Sequence, residues 1–147
     1  MYKKLTYSGK ECNNYLYFAF DAEHFDTEEI TKKLNIQPTS VSINKIPTPK
    51  STSWKYKIEA GNEIDLKKYL IQLIDIFEPK AEIIKDLKIK LNLATRIQFV
   101  IDIDINPDSS VPYFGLNTRV INFLAATQSE IDFDIYKSDT IGILKNE

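Results

Sequence analysis

Residues 89–105 read IKLNLATRIQFVIDIDI, and nearly every odd position there is apolar: Ile89, Leu91, Leu93, Ile97, Phe99, Ile101, Ile103 and Ile105, with Thr95 the exception. Side chains alternate faces along a strand, so this period-two pattern marks a strand buried on one side. One straight strand cannot hold all of it. The full run would reach about 56 Å when extended, whereas a domain of 147 residues has a radius of gyration of about 15 Å and a diameter under about 40 Å. A break is therefore expected near Asn92–Ala94, with a strand over about 95–105.

Upstream, Leu66, Tyr69, Leu70, Leu73, Ile74 and Phe77 recur at spacings of three and four, an amphipathic helix with its apolar stripe against a sheet. Pro79 interrupts the helical hydrogen bonds but suits the first turn of a new helix, so a break is expected near Glu78 before Ile83, Ile84 and Leu87 resume the period. Ser53–Glu59 sets Trp54, Tyr56 and Ile58 against Lys55, Lys57 and Glu59, a strand buried on one face and solvated on the other. Tyr15–Ala22 alternates in the same way, with Leu16, Phe18 and Phe20 inward and Tyr15 and Tyr17 outward. Asp26 then caps a short helix over about 27–35, with Glu28 and Glu29 in its first turn. Gln37–Ser53 is rich in Ser, Thr and Pro and reads as a flexible loop with room for a short strand at Val41–Ile46. Downstream, a turn at Asn106–Ser110 precedes a helix capped by Asn117; Ile131, Phe133 and Ile135 form a last strand, and residues 138–147 a loose tail.

This order implies an α+β fold: a mostly antiparallel sheet with helices packed on one face, expected as a ferredoxin-like core with an appended helix and strand. The length suits a single domain spanning 1–147, with a core over about 15–136. A composition of 43% hydrophobic and 27% charged residues excludes a disordered chain. Net charge is −2, so there is no basic excess to neutralise a run of phosphates, and nucleic-acid binding is not expected. The first ten residues are polar throughout and lack a leader's apolar stretch, which points to a cytoplasmic protein. The longest apolar run, Ile97–Ile105, is interrupted by Gln98, Asp102 and Asp104, so no membrane association is expected.

The chain resembles a bacterial family catalogued as domain of unknown function 4279. That family opens with an aromatic strand and an acidic capped helix leading to a Leu-Gly-Ile-x-Pro-Thr turn, which is similar to Leu34-Asn35-Ile36-Gln37-Pro38-Thr39. Trp54, the Leu66/Leu70/Leu73 helix with Pro79, and the closing Asp132-Phe133-Asp134-Ile135-Tyr136 match the rest of the pattern. Asn35 replaces the usual glycine, a mild departure because asparagine tolerates the left-handed conformation of a helix end. A glycine between the Pro-Thr and the tryptophan is missing, which bears on the loop between them. The resemblance implies small proteins with suspected immunity roles beside toxins, and no established active site.

Chemistry-bearing residues are sparse. Cys12 lacks a neighbouring base and one cysteine closes no intrachain disulfide, while His24 lies alone between Glu23 and Phe25. No cofactor is implied. Asp102 and Asp104 point away from the core on one strand, and Asp132 and Asp134 repeat the arrangement on the last. If those strands are neighbours, the four carboxylates share a patch, with Asp21 close by, and Lys55 and Lys57 are available to ion-pair with it. Together with Tyr15 and Tyr17, residues of a type enriched at hot spots, they form the candidate interface for an unknown protein partner, a toxin being one possibility. The expected function is thus a non-catalytic protein-binding domain of immunity type. The alternatives are a metal-assisted hydrolase at the four aspartates and a small-ligand domain beneath the Trp54 strand.

Overall fold

The computed structural model describes residues 13–46, 50–104 and 114–138. Its strands are β1 (Asn14–Ala22), β2 (Ser40–Asn44), β3 (Ser51–Gly61), β4 (Ala94–Asp104) and β5 (Glu130–Ser138). The helices are α1 (Thr27–Leu34), α2 (Lys67–Phe77), α3 (Ala81–Leu91) and α4 (Thr118–Thr127), with a 3-10 turn, Glu78–Lys80, between α2 and α3. Cys12, the turn at 106–110 and residues 139–147 lie outside the described residues.

The five strands make one sheet in the order β2-β3-β1-β4-β5. Every neighbouring pair is antiparallel except β4 and β5, which are parallel. A parallel pair needs a crossover rather than a hairpin, and the segment carrying α4 supplies it. Helix α1 packs on β3 and α2 on β1 and β3, and α3 and α4 join the same layer through α1 and α2. The fold is α+β, a mixed sheet with helices on one face.

The core follows from β1's central place. Leu16, Phe18 and Phe20 are fully buried under the helices, and the Phe18 ring meets Phe20, Phe77 and Phe123 at centroid distances of 5.2, 4.7 and 5.8 Å. Trp54, opposite Phe20 on β3, is fully buried, and its Nε1–H donates to Thr31 Oγ1 at 3.0 Å, which answers the one polar atom of the indole. The outward positions of β1 depart from the expected solvated row: Ala19 is fully buried and Tyr17 is only 9% exposed. A central strand has neighbours on both sides, and their long side chains cover its outward face.

Helix ends carry the remaining local signals. Asp26 Oδ1 accepts from Glu28 N at 2.9 Å and Asn117 Oδ1 from Val120 N at 3.0 Å, so both expected caps form. Asn117→Ala should lower stability by about 0.5–2 kcal/mol; a thermal melt indistinguishable from wild type would show that the α4 start is held by packing alone. Three helices close on left-handed residues other than glycine: Asn35 (φ 54), Asn92 (φ 51) and Gln128 (φ 50). Asn92 separates helix from strand inside the 89–105 run. Its first apolar residues, Ile89 and Leu91, belong to α3, and β4 starts at Ala94. The helix break at Glu78 also forms as expected, and Arg119 on α4 braces it by donating to Glu78 Oε2 (2.6 Å) and Asp75 Oδ1 (2.7 Å).

The 37–53 segment differs most from its reading as a loop. Its expected short strand is β2, exposed along its whole length, and β3 already begins at Ser51. Alternation in Ser40-Val41-Ser42-Ile43-Asn44 pairs Val41 with Trp54 and Ile43 with Thr52, which makes β2 an edge strand of the sheet.

Candidate functional site

Among the described residues, no helix packs on the other face of the sheet. Strand register fixes what this face presents. One cross-strand row runs Lys57–Tyr17–Gln98–Asp132, and the next Glu59–Tyr15–Val100–Asp134. On the other side lie Lys55–Ala19–Arg96–Glu130 and then Ser53–Asp21–Ala94.

Tyr15 and Tyr17 stack along the middle of this face, with centroids 6.3 Å apart and ring planes 24° from parallel. Lys57 Nζ lies 5.0 Å from the Tyr15 ring centroid and Lys55 Nζ 5.0 Å from that of Tyr17. Such contacts are worth about 0.5–1 kcal/mol at exposed sites. Burial pushes the Tyr15 hydroxyl above its ordinary range; the neighbouring Tyr17 adds to this and Lys57 opposes it. The tyrosines are therefore on the expected face but beneath the lysines rather than fully exposed, because β3 neighbours β1 and its side chains lean across.

The aspartates are arranged differently from the expected patch. β4 and β5 are neighbours, but Asp132 stands opposite Gln98, Asp134 opposite Val100 and Asp102 opposite Tyr136, so the two pairs are staggered along the sheet. Asp132 and Asp134 are exposed and Asp102 half-buried, whereas the Asp104 side chain lies outside the described residues. Among the described residues, Lys55 and Lys57 make none of the expected ion pairs with Asp132 and Asp134, since β1 and β4 lie between β3 and β5. Lys57 pairs with Glu59 on its own strand instead. Asp21 also stands apart from the aspartates, 3.4 Å from Arg96 Nη1. Among the described residues no three His, Cys, Asp or Glu side chains are grouped to hold a metal ion, so the hydrolase reading has no geometric support there. His24 is exposed at the β1–α1 junction.

Beneath the Trp54 strand the aromatic rings pack on one another, with Phe20 at 5.5 Å and Phe77 at 6.4 Å from Trp54. On the other side of β1, a hollow bordered by Leu70, Phe99, Phe114 and Phe133 has about 10 Å³ of room, space for about one water.

A feature not anticipated from sequence lies at the end of the helix-free face near Ser53 and Asp21. A depression of about 540 Å³ opens there, bordered by Asp21, Ser53, Lys55, Arg96, Ala94 and the flanking Lys50. Buried polar atoms normally have partners, and leaving one without costs about 1–3 kcal/mol. Four buried side-chain atoms have no hydrogen-bond partner among the described residues: Asp21 Oδ2, Ser53 Oγ, Arg96 Nε and Gln98 Nε2. The first three belong to residues bordering this depression. Burial works to lower the Arg96 pKa, but hydrogen bonding to Tyr17 and the charge of Asp21 outweigh it, so the guanidinium is held more firmly cationic. No sequence motif signals this group, because its members meet only once β1 is placed between β3 and β4.

These features define a class: a one-sided α+β sheet domain whose helix layer buries the core and whose opposite face carries polar, charge-divided chemistry. The chain belongs to the family described as Domain of unknown function (DUF4279), whose profile matches residues 10–138. Neither the curated proteins nor the solved structures include a significant match. No helix among the described residues is long and apolar enough to cross a membrane.

Proposed function

We propose that this is a cytoplasmic, non-catalytic protein-binding domain that docks its partner on the helix-free face of the sheet. One observation carries the reading: the stacked Tyr15 and Tyr17 divide that face, with Lys55 and Lys57 on β3 to one side and Asp132 and Asp134 on β5 to the other. A surface with both signs at a fixed separation fixes the orientation of a complementary partner and speeds its encounter. Tyrosines at the boundary supply rigid contact area once the lysines move aside. Given the family's suspected association with toxins, an immunity-type inhibitor of a bacterial toxin is the role this surface serves.

The test uses Asp132→Lys/Asp134→Lys beside a control, Glu82→Lys/Asp86→Lys, which puts the same reversal on the helix layer. Both variants should keep wild-type melting to within about 0.5–1 kcal/mol, as exposed substitutions do. A partner captured from the native host by wild type should associate about 10-fold more slowly with the β5 variant and lose much of its salt dependence. The control should bind as wild type does. Equal association by all three proteins would place the docking surface elsewhere.

A further inference from the structure

We infer that the depression between β3 and β4 is a binding site for a small oxyanion, held by Lys55, Ser53 and Arg96 with Lys50 at its rim. The site rests on the unpartnered polar atoms and not on the docking proposal above, since a small anion binds there with or without a protein partner.

The backbone sets the shape. Lys55 and Arg96 share a cross-strand row with Ala19 between them. Their strands are two spacings apart, roughly 10 Å, and the residue between offers only a methyl group. Ala94 beside Asp21 keeps the next row shallow in the same way. Two long cations thus face each other across a low floor.

Charge selects an anion. Three cations, Lys50, Lys55 and Arg96, border the depression against the single carboxylate of Asp21, in a chain whose net charge is −2. Glu130, opposite Arg96 on β5, lies on the far side of β4 from the depression. Lys55 Nζ rests over the Tyr17 ring, and its flexible stem lets it turn to the anion beside Ser53, whose residue is 7% exposed.

Geometry narrows the class further. Ser53 Oγ on β3 and Arg96 Nε on β4 are both donors with no hydrogen-bond partner among the described residues. Two such donors suit an oxyanion, whose several oxygens can accept from both. Asp21 Oδ2 is already ion-paired with Arg96 Nη1 at 3.4 Å, so this carboxylate is held away from the anion's donors.

The chain has two arginines, Arg96 and Arg119, so their side-chain Nε–H signals give a two-peak NMR spectrum. Arg119 already donates through Nε to Glu78 and serves as an internal control. At constant ionic strength, inorganic phosphate should move the Arg96 signal saturably and leave Arg119 in place. Chloride, which offers a single centre to the donors, should bind at least about 10-fold more weakly, a difference of about 1.4 kcal/mol. Glycerol phosphate in a parallel titration separates a monoester from free phosphate, the tighter of the two naming the source. Lys55→Ala should weaken binding about 10-fold. Ser53→Ala should weaken it several-fold with no loss of melting temperature, because no hydrogen bond is removed. An Arg96 signal unmoved by phosphate overturns the site, as does one moved equally by chloride.

Discussion

Phe18→Ala should lower the unfolding free energy by about 3–5 kcal/mol, the range for deleting a large ring from a packed core. Phe18 is fully buried on the central strand, and its ring touches aromatic side chains from its own strand and from two helices, α2 through Phe77 and α4 through Phe123. Neighbours drawn from three elements cannot all close on the vacated space, so much of the cavity persists. Against a typical domain stability of about 5–15 kcal/mol, this leaves little reserve. Urea unfolding followed by far-UV dichroism is the measurement. The midpoint should fall while its slope stays constant, which separates lost stability from a change in the unfolded chain. A loss under about 1 kcal/mol would mean that α2 and α4 do not seat on β1 as described.

The second large effect is polar. Asn14 is fully buried at the irregularity where the β1–β3 register shifts between Asn14 and Tyr15. Its Nδ2 donates to Glu63 O at 2.9 Å, and its Oδ1 accepts from Asp102 N at 2.8 Å, so one side chain ties the β3–α2 connection to β4 across the sheet. Asn14→Ala removes both links and strands a carbonyl and an amide together. Each orphaned group costs about 1–3 kcal/mol when water cannot reach it, and partial exposure at this end of the sheet puts the expected loss at about 2–4 kcal/mol. Hydrogen exchange gives a local readout: the Asp102 amide should lose protection by more than the global change in stability accounts for. Retained protection at Asp102 would show that another acceptor takes the place of Asn14.

Much of the architecture is legible in the sequence because it rests on local physics. The stripe from Leu66 to Phe77, the stop at Pro79, the caps at Asp26 and Asn117 and the alternation around Phe18 and Trp54 each depend on residues close together in the chain. Strand order does not. Placing β1 between β3 and β4 and laying β5 parallel to β4 comes from long-range pairing, for which the sequence carries no register mark. Two errors follow from that gap: Lys55 and Lys57 appeared available to the aspartates, and the β1 tyrosines appeared open to solvent. The depression at Ser53, Asp21 and Arg96 was invisible for the same reason, since its residues belong to three strands. The helix–strand division of residues 89–105 was only half legible, because Ile89 and Leu91 continue the period-two pattern by coincidence while sitting on α3.

The helix ends at Asn35, Asn92 and Gln128 bear on how far selection has tuned this chain. All three hold a left-handed backbone that glycine would adopt without steric penalty, in a sequence with only 4 glycines. Asparagine is tolerated there, and a side chain at such a position also makes the unfolded chain less disordered, so strain and entropy nearly balance at the first two sites. Glutamine lacks that tolerance. At Gln128 the conformation is imposed by its surroundings: its own amide bonds back to Ala125 O, the Ser129 amide to Leu124 O, and Lys88 donates to its carbonyl. The α4–β5 corner is therefore tensioned from outside, and the molecule has thermodynamic headroom that evolution has left unused, as expected of a protein kept just above the stability its role requires.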